Sequence, residues 1–290
     1  MLNSANMRGA VLMTGSMAAF TVNDTFVKLL GDSLPFFQFL FLRSLGATAL
    51  MVLLAWQAGV LRLPTNSRDR RLVYWRSLAE MAAAYFFLTA LINMPIANVT
   101  AILQALPLTV ALGAALFLKE EVGWRRFLAI GIGLVGVFLI VRPGGEGFNI
   151  FGVYALLAVV SVTIRDLTAR QLSEDVPSLT VAALGAFAIL IFSAIGSVFG
   201  PAWEPIGAWD WLWLAGSIVT IMLAYLFSVS AMRVGEIGFV SPFRYTSLLI
   251  ALILGFLVFD EWPDALTQVG AAIVVATGLY TIWREQRANT

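Results

Sequence analysis

The sequence predicts an all-α membrane protein with ten transmembrane helices in two inverted five-helix repeats and both termini in the cytoplasm (N-in/C-in). Three observations lead to this fold: an apolar composition, ten apolar runs of spanning length, and an internal duplication. Of the 290 residues, 60% are hydrophobic and 12% are charged. A soluble domain usually carries about twice that charged share.

Composition excludes several classes of function. The chain contains no His and no Cys, which removes cysteine nucleophiles, His-dependent triads, disulfides and nearly every zinc or iron–sulfur site. The net charge is +1 and there is no basic tail, so nucleic acid is not an expected partner. We therefore expect no metal and no cofactor, and we expect proton-coupled chemistry to depend on carboxylates.

Ten apolar runs are each long enough to cross a bilayer as a helix, which needs about 20 residues. They are 9–30, 35–57, 72–92, 96–118, 124–141, 150–170, 178–199, 209–232, 239–259 and 264–283. The first run is too long for a typical signal sequence and is followed directly by further spans, so it is predicted to be retained. The predicted repeats are therefore 9–141 and 150–283.

Positive charges in the connecting segments predict the orientation. The side that includes both termini holds twelve Lys and Arg residues, whereas the opposite side holds Arg142 and, at a helix end, Lys28. Positive residues concentrate on the cytoplasmic side of a membrane protein. The sequence thus predicts a multi-pass protein of the inner (plasma) membrane with both termini in the cytoplasm and the lipid bilayer as its surroundings.

The two halves of the chain match each other at a shift of 141 or 142 residues. The matched pairs are Phe86 with Phe227, Ala90 with Ala231, Ile96 with Ile237, Val99 with Val240, Glu120 with Glu261, Asp24 with Asp166, Lys28 with Arg170, and Pro35 with Pro177. Each half contains five spans, and an odd number makes the halves insert in opposite orientations. Inverted repeats of this kind are common in secondary transporters, whose site lies near the membrane midplane between the halves.

Short motifs in the fourth and ninth spans identify a family. The fourth span has Pro107 in its interior and ends at Glu120, and the ninth ends in the segment 255–261, which closes with Glu261. With ten spans in two repeats, the chain resembles the EamA branch of the drug/metabolite transporter superfamily. In the second half Leu248 stands where Pro107 would repeat, while Pro242 lies earlier in the helix, so we expect the kink of that helix to be displaced.

This resemblance implies a secondary active transporter that works by alternating access, with the third, fourth, eighth and ninth helices around a central cavity. Members of the family import or export amino acids, vitamins, sugars and drugs, so the resemblance does not give the direction of transport. The segment 131–136 matches the dinucleotide motif G-x-G-x-x-G. Because it lies inside an apolar span, it predicts a close contact between helices instead of a nucleotide site.

Ionisable residues inside the spans are the first candidates for function, since each costs about 2.5–3.5 kcal/mol on insertion scales. Asp24 and Arg43 lie at compatible depths, which predicts a structural ion pair; coupling to a proton is the alternative role of Asp24. Arg165 and Asp166 lie in the inner third of the sixth span. Asp166 is the repeat-mate of Asp24, and a structural or coupling role is again predicted.

Glu80 and Arg244 are predicted to bind substrate. They lie about 12 Å and about 8 Å from the cytoplasmic side, on the third and ninth spans, which the family resemblance places at the cavity. The alternative is that they only pair with each other. Polar and aromatic neighbours complete the candidate substrate site: Gln104, Asn23, Tyr85, Tyr225 and Tyr245.

The sequence therefore predicts a secondary transporter of a small metabolite, either amino-acid-like or ring-bearing, and not an enzyme. A carboxylate and a guanidinium can hold the two ends of a zwitterion, and tyrosines suit a planar ring. Uptake of a vitamin of the riboflavin type is the alternative. A membrane-embedded enzyme and a channel are remoter alternatives, because the chain lacks a reactive polar cluster and a channel needs no inverted halves. A homodimer is left open.

Overall fold

The computed structural model describes residues 4–119, 123–142, 149–173, 175–234 and 237–288, and these residues form helices without any strand. The α-helices are α1 (Ser4–Ser33), α2 (Phe36–Gln57), α3 (Ser67–Asn93), α4 (Ile96–Leu103), α5 (Leu106–Phe117), α6 (Trp124–Val141), α7 (Ile150–Arg170), α8 (Ser178–Phe199), α9 (Ala208–Val234), α10 (Ile237–Val240), α11 (Thr246–Phe259) and α12 (Ala265–Ala288). A short 3-10 helix, Ser241–Tyr245, joins α10 to α11.

These elements form ten rods, because α4 and α5 make one broken span and α10, the 3-10 helix and α11 make another. Seven of the rods in the described part of the chain are long and apolar enough to cross a membrane by length and composition alone. The other three are α1, α3 and α6. Charged residues lower the mean hydropathy of the first turns of α3. The apolar part of α6 is short and covers Phe127–Val141. The predicted all-helical fold is confirmed.

The two broken spans are interrupted at equivalent positions of the repeat. In the first half the helix is broken at Gln104 and Ala105, and Pro107 lies in the first turn of α5. In the second half the break starts earlier, where Pro242 opens the 3-10 helix, but it ends at Tyr245. Residues 104 and 105 correspond to 245 and 246 at the repeat shift of 141. Leu106, where α5 begins, corresponds to 247, and α11 begins at Thr246, so the α-helix resumes within one residue of the same place in both halves, although the proline differs.

Packing between the rods follows the internal duplication. Helix α1 packs along α9, and its repeat equivalent α7 packs along α3, the equivalent of α9. Three further contacts join equivalent spans of the two halves: α2 with α8, α6 with α12, and α4 with α11. The contact of α1 with α9 thus has its equivalent in the contact of α7 with α3, and each of the other three contacts joins two equivalent spans. A two-repeat architecture requires this symmetry.

Two glycines bring α6 and α12 into backbone contact. A Cβ atom built on Gly136 would lie 2.8 Å from the carbonyl oxygen of Gly270, and one built on Gly270 would lie 2.6 Å from that of Gly136. Gly133 faces Leu108 and Thr277 as closely, while a Cβ on Gly131 would meet nothing within 4 Å. The G-x-G-x-x-G segment thus serves helix packing, as predicted.

The perimeter of the bundle is apolar. Phe199 is 85% exposed and Val198 is 78% exposed, and many other large apolar side chains are exposed as well. An exposed apolar surface of this extent is typical of a protein that faces lipid. Following the orientation predicted from the sequence, the end of the bundle at which α1 ends and α2 begins is called the outer end. The opposite end, where α1 begins, is called the inner end.

Candidate functional site

A group of charges, the inner charge cluster, joins α3 to α7 in the inner half of the bundle. Arg165 Nη1 lies 3.0 Å from Glu80 Oε1, Arg165 Nε lies 2.9 Å from Asp166 Oδ1, and Arg76 Nη2 lies 3.2 Å from Glu80 Oε2. The backbone carbonyl of Val181 on α8 accepts a hydrogen bond of 3.4 Å from Arg76. Two cations and two carboxylates of α3 and α7 therefore neutralise one another, and α8 contributes a carbonyl oxygen.

Arg244 is not part of this cluster. It is exposed, and the 3-10 helix that carries it packs beside α1 and α12 and not beside α3. The alternative in which Glu80 and Arg244 pair with each other is therefore wrong in this conformation. The reason is that α3 packs along α7, which presents Arg165 to Glu80 at the same depth. Binding of substrate by Glu80 and Arg244 stays a prediction.

A second group, the outer polar group, consists of Asn23, Asp24 and Arg43. Arg43 Nη2 donates a hydrogen bond of 3.2 Å to Asn23 Oδ1, and Asn23 Nδ2 donates one of 3.0 Å to Asp24 Oδ1. The Asn23 amide therefore lies between the two charges, where a direct ion pair was predicted. The Asn23 side chain is buried, and it meets its need for hydrogen bonds by bonding to both charged groups.

Tyr225 of α9 lies between these two groups. Its ring meets that of Phe20 edge to face at 5.4 Å between centroids, and its hydroxyl is within electrostatic range of Arg43, Glu80 and Arg165. The side chain is nevertheless 42% exposed. Tyr225 is therefore partly exposed and lies near charged groups of α2, α3 and α7, which belong to both halves of the chain.

Gln104 links the two broken spans. It is buried, and its Nε2 atom donates a hydrogen bond of 2.6 Å to Ser247 Oγ at the start of α11. The sequence predicted that Gln104 lines the cavity, and the structure adds that its amide group connects the first half of the chain to the second. Its contact with substrate remains untested.

The remaining two tyrosines lie apart from Tyr225. Tyr85 belongs to an aromatic cluster, with ring centroids 5.6 Å from Phe36, 6.1 Å from Phe192 and 6.3 Å from Tyr154. A cavity of about 250 Å³ adjoins this cluster near the outer end. Tyr245 is buried against α12, where its hydroxyl touches Gly278 and has no hydrogen-bond partner among the described residues.

Sequence reasoning missed an ion pair at the outer end. Lys28 Nζ lies 2.6 Å from Glu261 Oε1 and 2.7 Å from the carbonyl oxygen of Met94, while Glu261 Oε2 accepts a 3.1 Å hydrogen bond from the backbone N–H of Ile96. Lys28 is only 5% exposed. The signal was the repeat itself, which matches Lys28 with Arg170 and Glu261 with Glu120. Glu120 lies outside the described residues.

A small polar cavity of about 130 Å³ also opens at the outer end, between α4, α6, α7 and α12. Arg142 forms an ion pair with Asp264 on its wall. Asp264 also caps α12 by accepting a 2.9 Å hydrogen bond from the backbone N–H of Thr267. This N–H, followed by Arg142, holds the pKa of Asp264 below its usual value of 3.8.

The chemistry available to these groups is recognition of charge. No cluster of three or more acidic side chains that could hold a metal ion occurs in the described ranges. The groups near Tyr225 are instead guanidinium donors, carboxylate acceptors and an aromatic ring, contributed by both halves. Groups of these kinds can bind a polar solute that carries both signs of charge.

Comparison with known proteins identifies the family. The EamA-like transporter family matches residues 7–142 and 150–283. The S-adenosylmethionine uptake transporter of Rickettsia felis is 24% identical over 281 residues, 94% of this chain and 92% of that protein. The riboflavin transporter of Vibrio cholerae is 30% identical over 200 residues, 68% of this chain and 66% of that protein. The pseudopaline exporter CntI of Pseudomonas aeruginosa is 28% identical over 273 residues, 92% and 93% of the two chains.

A solved crystal structure shares the fold, with a TM-score of 0.63 at 18% sequence identity over 97% of this chain and 98% of the other. The family match covers both halves of the chain, and the three relatives are transporters, one named for uptake and one for export. The chain therefore belongs to the EamA-like transporter family and is a multi-pass membrane transporter, not an enzyme.

Proposed function

We propose that this protein is a secondary active transporter that moves a small, ring-bearing, amino-acid-like metabolite across the plasma membrane by alternating access. The observation that carries the proposal is the column of polar groups between the halves. It runs from the outer polar group past Tyr225 to the inner charge cluster. Charges are costly inside a membrane unless they face a partner or a solute, and here helices of both halves contribute them.

Alternating access is supported by the symmetry of the packing. In the proposal, the repeats 9–141 and 150–283 rock against each other about the contacts that join equivalent helices. In this proposal the ion pair of Lys28 with Glu261, 2.6 Å apart, keeps the outer end closed in the present conformation. If each repeat adopts the conformation that the other repeat has here, the opposite state results, in which the outer end is open. Energy comes from an ion gradient or from exchange of solutes.

The substrate class follows from the groups along the column. Carboxylate and guanidinium groups complement a zwitterion, and tyrosine rings complement a planar ring. Relatives named for S-adenosylmethionine uptake match nearly the whole chain, and that compound combines an amino-acid head group with a purine ring. S-Adenosylmethionine is therefore the first compound to test.

A second candidate is uptake of a riboflavin-type vitamin, which has a flat ring system and no amino-acid head group. The aromatic cluster around Tyr85 favours it, since Phe36, Tyr154 and Phe192 surround that ring beside a cavity of about 250 Å³. In this alternative the ring binds near the outer end, and the charges of the column serve structure and coupling.

Transport by the purified protein in liposomes separates these candidates. Labelled S-adenosylmethionine, riboflavin and a set of amino acids are measured for uptake, efflux and counterflow, with and without an imposed proton gradient. We expect saturable movement of S-adenosylmethionine or a related amino-acid-like compound. Transport of riboflavin alone would favour the second candidate, and movement that never saturates would favour a channel.

The orientation is part of the proposal and has its own test. Because the chain lacks Cys, single cysteines can be introduced without removing native ones. A cysteine at Ser67 should react in intact cells only with membrane-permeant thiol reagents, whereas one at Ala208 should also react with impermeant reagents. Both positions are exposed. The reverse accessibility would contradict cytoplasmic termini and the assignment of the outer end.

A further inference from the structure

We propose that the outer polar group is the head-group subsite, in which Arg43 binds the carboxylate and Asp24 the ammonium group of a zwitterionic substrate. This inference rests on the proposed function and deepens it. It also moves the site: Asp24 and Arg43 were predicted as structural or coupling charges, while Glu80 and Arg244 were predicted to bind the substrate. Three structural observations favour Asp24 and Arg43 over Glu80 and Arg244 as the residues that bind the head group.

The first observation is the spacing of the two charges. Asp24 and Arg43 do not touch, since the amide of Asn23 accepts from the guanidinium and donates to the carboxylate. In an amino acid the ammonium and carboxylate groups are carried by one carbon atom. A head group can therefore reach both residues at once only if they are held apart, and Asn23 holds them apart while it remains bonded to each.

The second observation is that Arg43 has unused donors. Its Nε atom is buried without a hydrogen-bond partner, and Asn23 is the acceptor that its guanidinium contacts among the described residues. Lys28 and Arg165, by contrast, make direct contacts with carboxylates. An unfilled guanidinium inside a membrane protein is costly, and a bidentate carboxylate would fill it.

Arg76 provides the comparison within the inner charge cluster. Its Nε atom also lacks a partner, yet its terminal nitrogens contact both Glu80 and the carbonyl oxygen of Val181. A substrate carboxylate would have to displace Glu80 from two arginines to bind there. At Arg43 it would displace no carboxylate that is in direct contact with the guanidinium, so the outer polar group is the better site for the anion.

The third observation is the position of the aromatic residues. Tyr225 and Phe20 form an edge-to-face pair one turn inward of Asn23 on the helix contact between α1 and α9. Tyr225 remains accessible and lies within electrostatic range of Arg43. A ring attached to the bound head group can therefore pack on Tyr225. Head group and ring then contact α1 and α2 of the first half and α9 of the second.

Binding of matched analogues to the purified protein tests the assignment. The panel is S-adenosylmethionine, the analogue without the carboxylate and the analogue without the amino group, with affinity measured by quenching of tryptophan fluorescence. We expect Arg43→Lys to bind the parent compound about 10- to 100-fold more weakly, because Lys lacks the bidentate fork. The same variant should bind the analogue without the carboxylate as the wild type does.

Asp24→Asn should show the converse pattern, with weakened binding of the parent compound and unchanged binding of the analogue without the amino group. It keeps the inference testable if Arg43→Lys fails to fold. Arg142→Lys is the matched control, since Arg142 pairs with Asp264 at the outer surface and its affinities should stay at the wild-type values.

Two results would overturn the inference, and they are distinguishable. If the wild type binds the parent compound but neither variant discriminates between the analogues, Arg43 and Asp24 are structural and the head group binds elsewhere. If the wild type binds no member of the panel, the proposed substrate class is wrong and the inference fails with it.

Discussion

The ion pair of Lys28 with Glu261 should hold the outer end of the transporter closed, and Glu261→Gln should weaken that closure. The variant keeps the size and shape of the side chain and removes the negative charge. Its amide has one acceptor oxygen where the carboxylate has two, so it can no longer accept from Lys28 and from the N–H of Ile96 through separate oxygens. A hydrogen bond from the ammonium group to a neutral amide oxygen lacks the attraction between opposite charges that the ion pair provides. The structure around both residues should otherwise persist.

The expected magnitude follows from burial. Lys28 is 5% exposed and the Glu261 side chain is 23% exposed, so solvent screens the pair in part. We take the loss in the closed state as about 1–2 kcal/mol. In the open state both groups are hydrated and the loss is small. The population of the open state should therefore rise about 5- to 30-fold.

A cysteine at Thr25 reports this population. Thr25 is buried one turn inward of Lys28 on α1, so an impermeant thiol reagent reaches it only when the outer end opens. Its rate of modification should rise by the same factor in the Glu261→Gln background. A cysteine at Ala208, which is exposed in the closed state, is the control. An unchanged rate at Thr25 in folded protein would show that the pair does not keep the outer end closed.

Three further outcomes follow from contacts described above. Gly136→Ala should lower the Tm in detergent, since its Cβ would meet a backbone oxygen at 2.8 Å, whereas Gly131→Ala should leave it unchanged because nothing lies within 4 Å. Asp264→Asn should lower the Tm at about pH 6, and by less at about pH 3: the depressed pKa makes the carboxylate stabilising above its unfolded value of 3.8, and this contribution is lost as the pH falls through the folded value. Glu80→Gln should reduce the folded yield, measured by fluorescence-detected gel filtration, because Arg165 loses a partner 3.0 Å away; an unchanged yield would contradict this.

Hydropathy predicted the membrane-crossing part of each rod better than the ends of the helices. Helix α6 covers Trp124–Val141 and α7 covers Ile150–Arg170, as the apolar runs predict. Helix α3 begins at Ser67, five residues before the apolar run, because the Asn66 side chain caps it by accepting from the N–H of Arg68. An apolar run marks the thickness of the lipid, whereas a helix ends where its last N–H and C=O groups find other partners.

Depth along a span could be estimated from the sequence, but the direction of a side chain around its helix could not. Glu80 and Arg244 lie at similar depths on spans that the family places at one cavity, yet Glu80 meets Arg165 because α3 packs along α7. The same limitation concealed the contact of Lys28 with Glu261. Their repeat matches were visible in the sequence, but the pairing depends on which helices of opposite halves become neighbours.

The glycine contact between α6 and α12 has a consequence for the amplitude of motion. Gly136 and Gly270 touch through their backbones, so no flexible side chain lies between them to absorb a change in separation. Among the described residues, the pair of α2 and α8 does not pack closely against α6 or α12 and so lies away from the glycine contact. If the two repeats rotate about the contact of Gly136 with Gly270, the displacement of a helix grows with its distance from that contact. Spin labels on α2 and α8 should then report the largest change of distance between states, and labels on α6 and α12 the smallest.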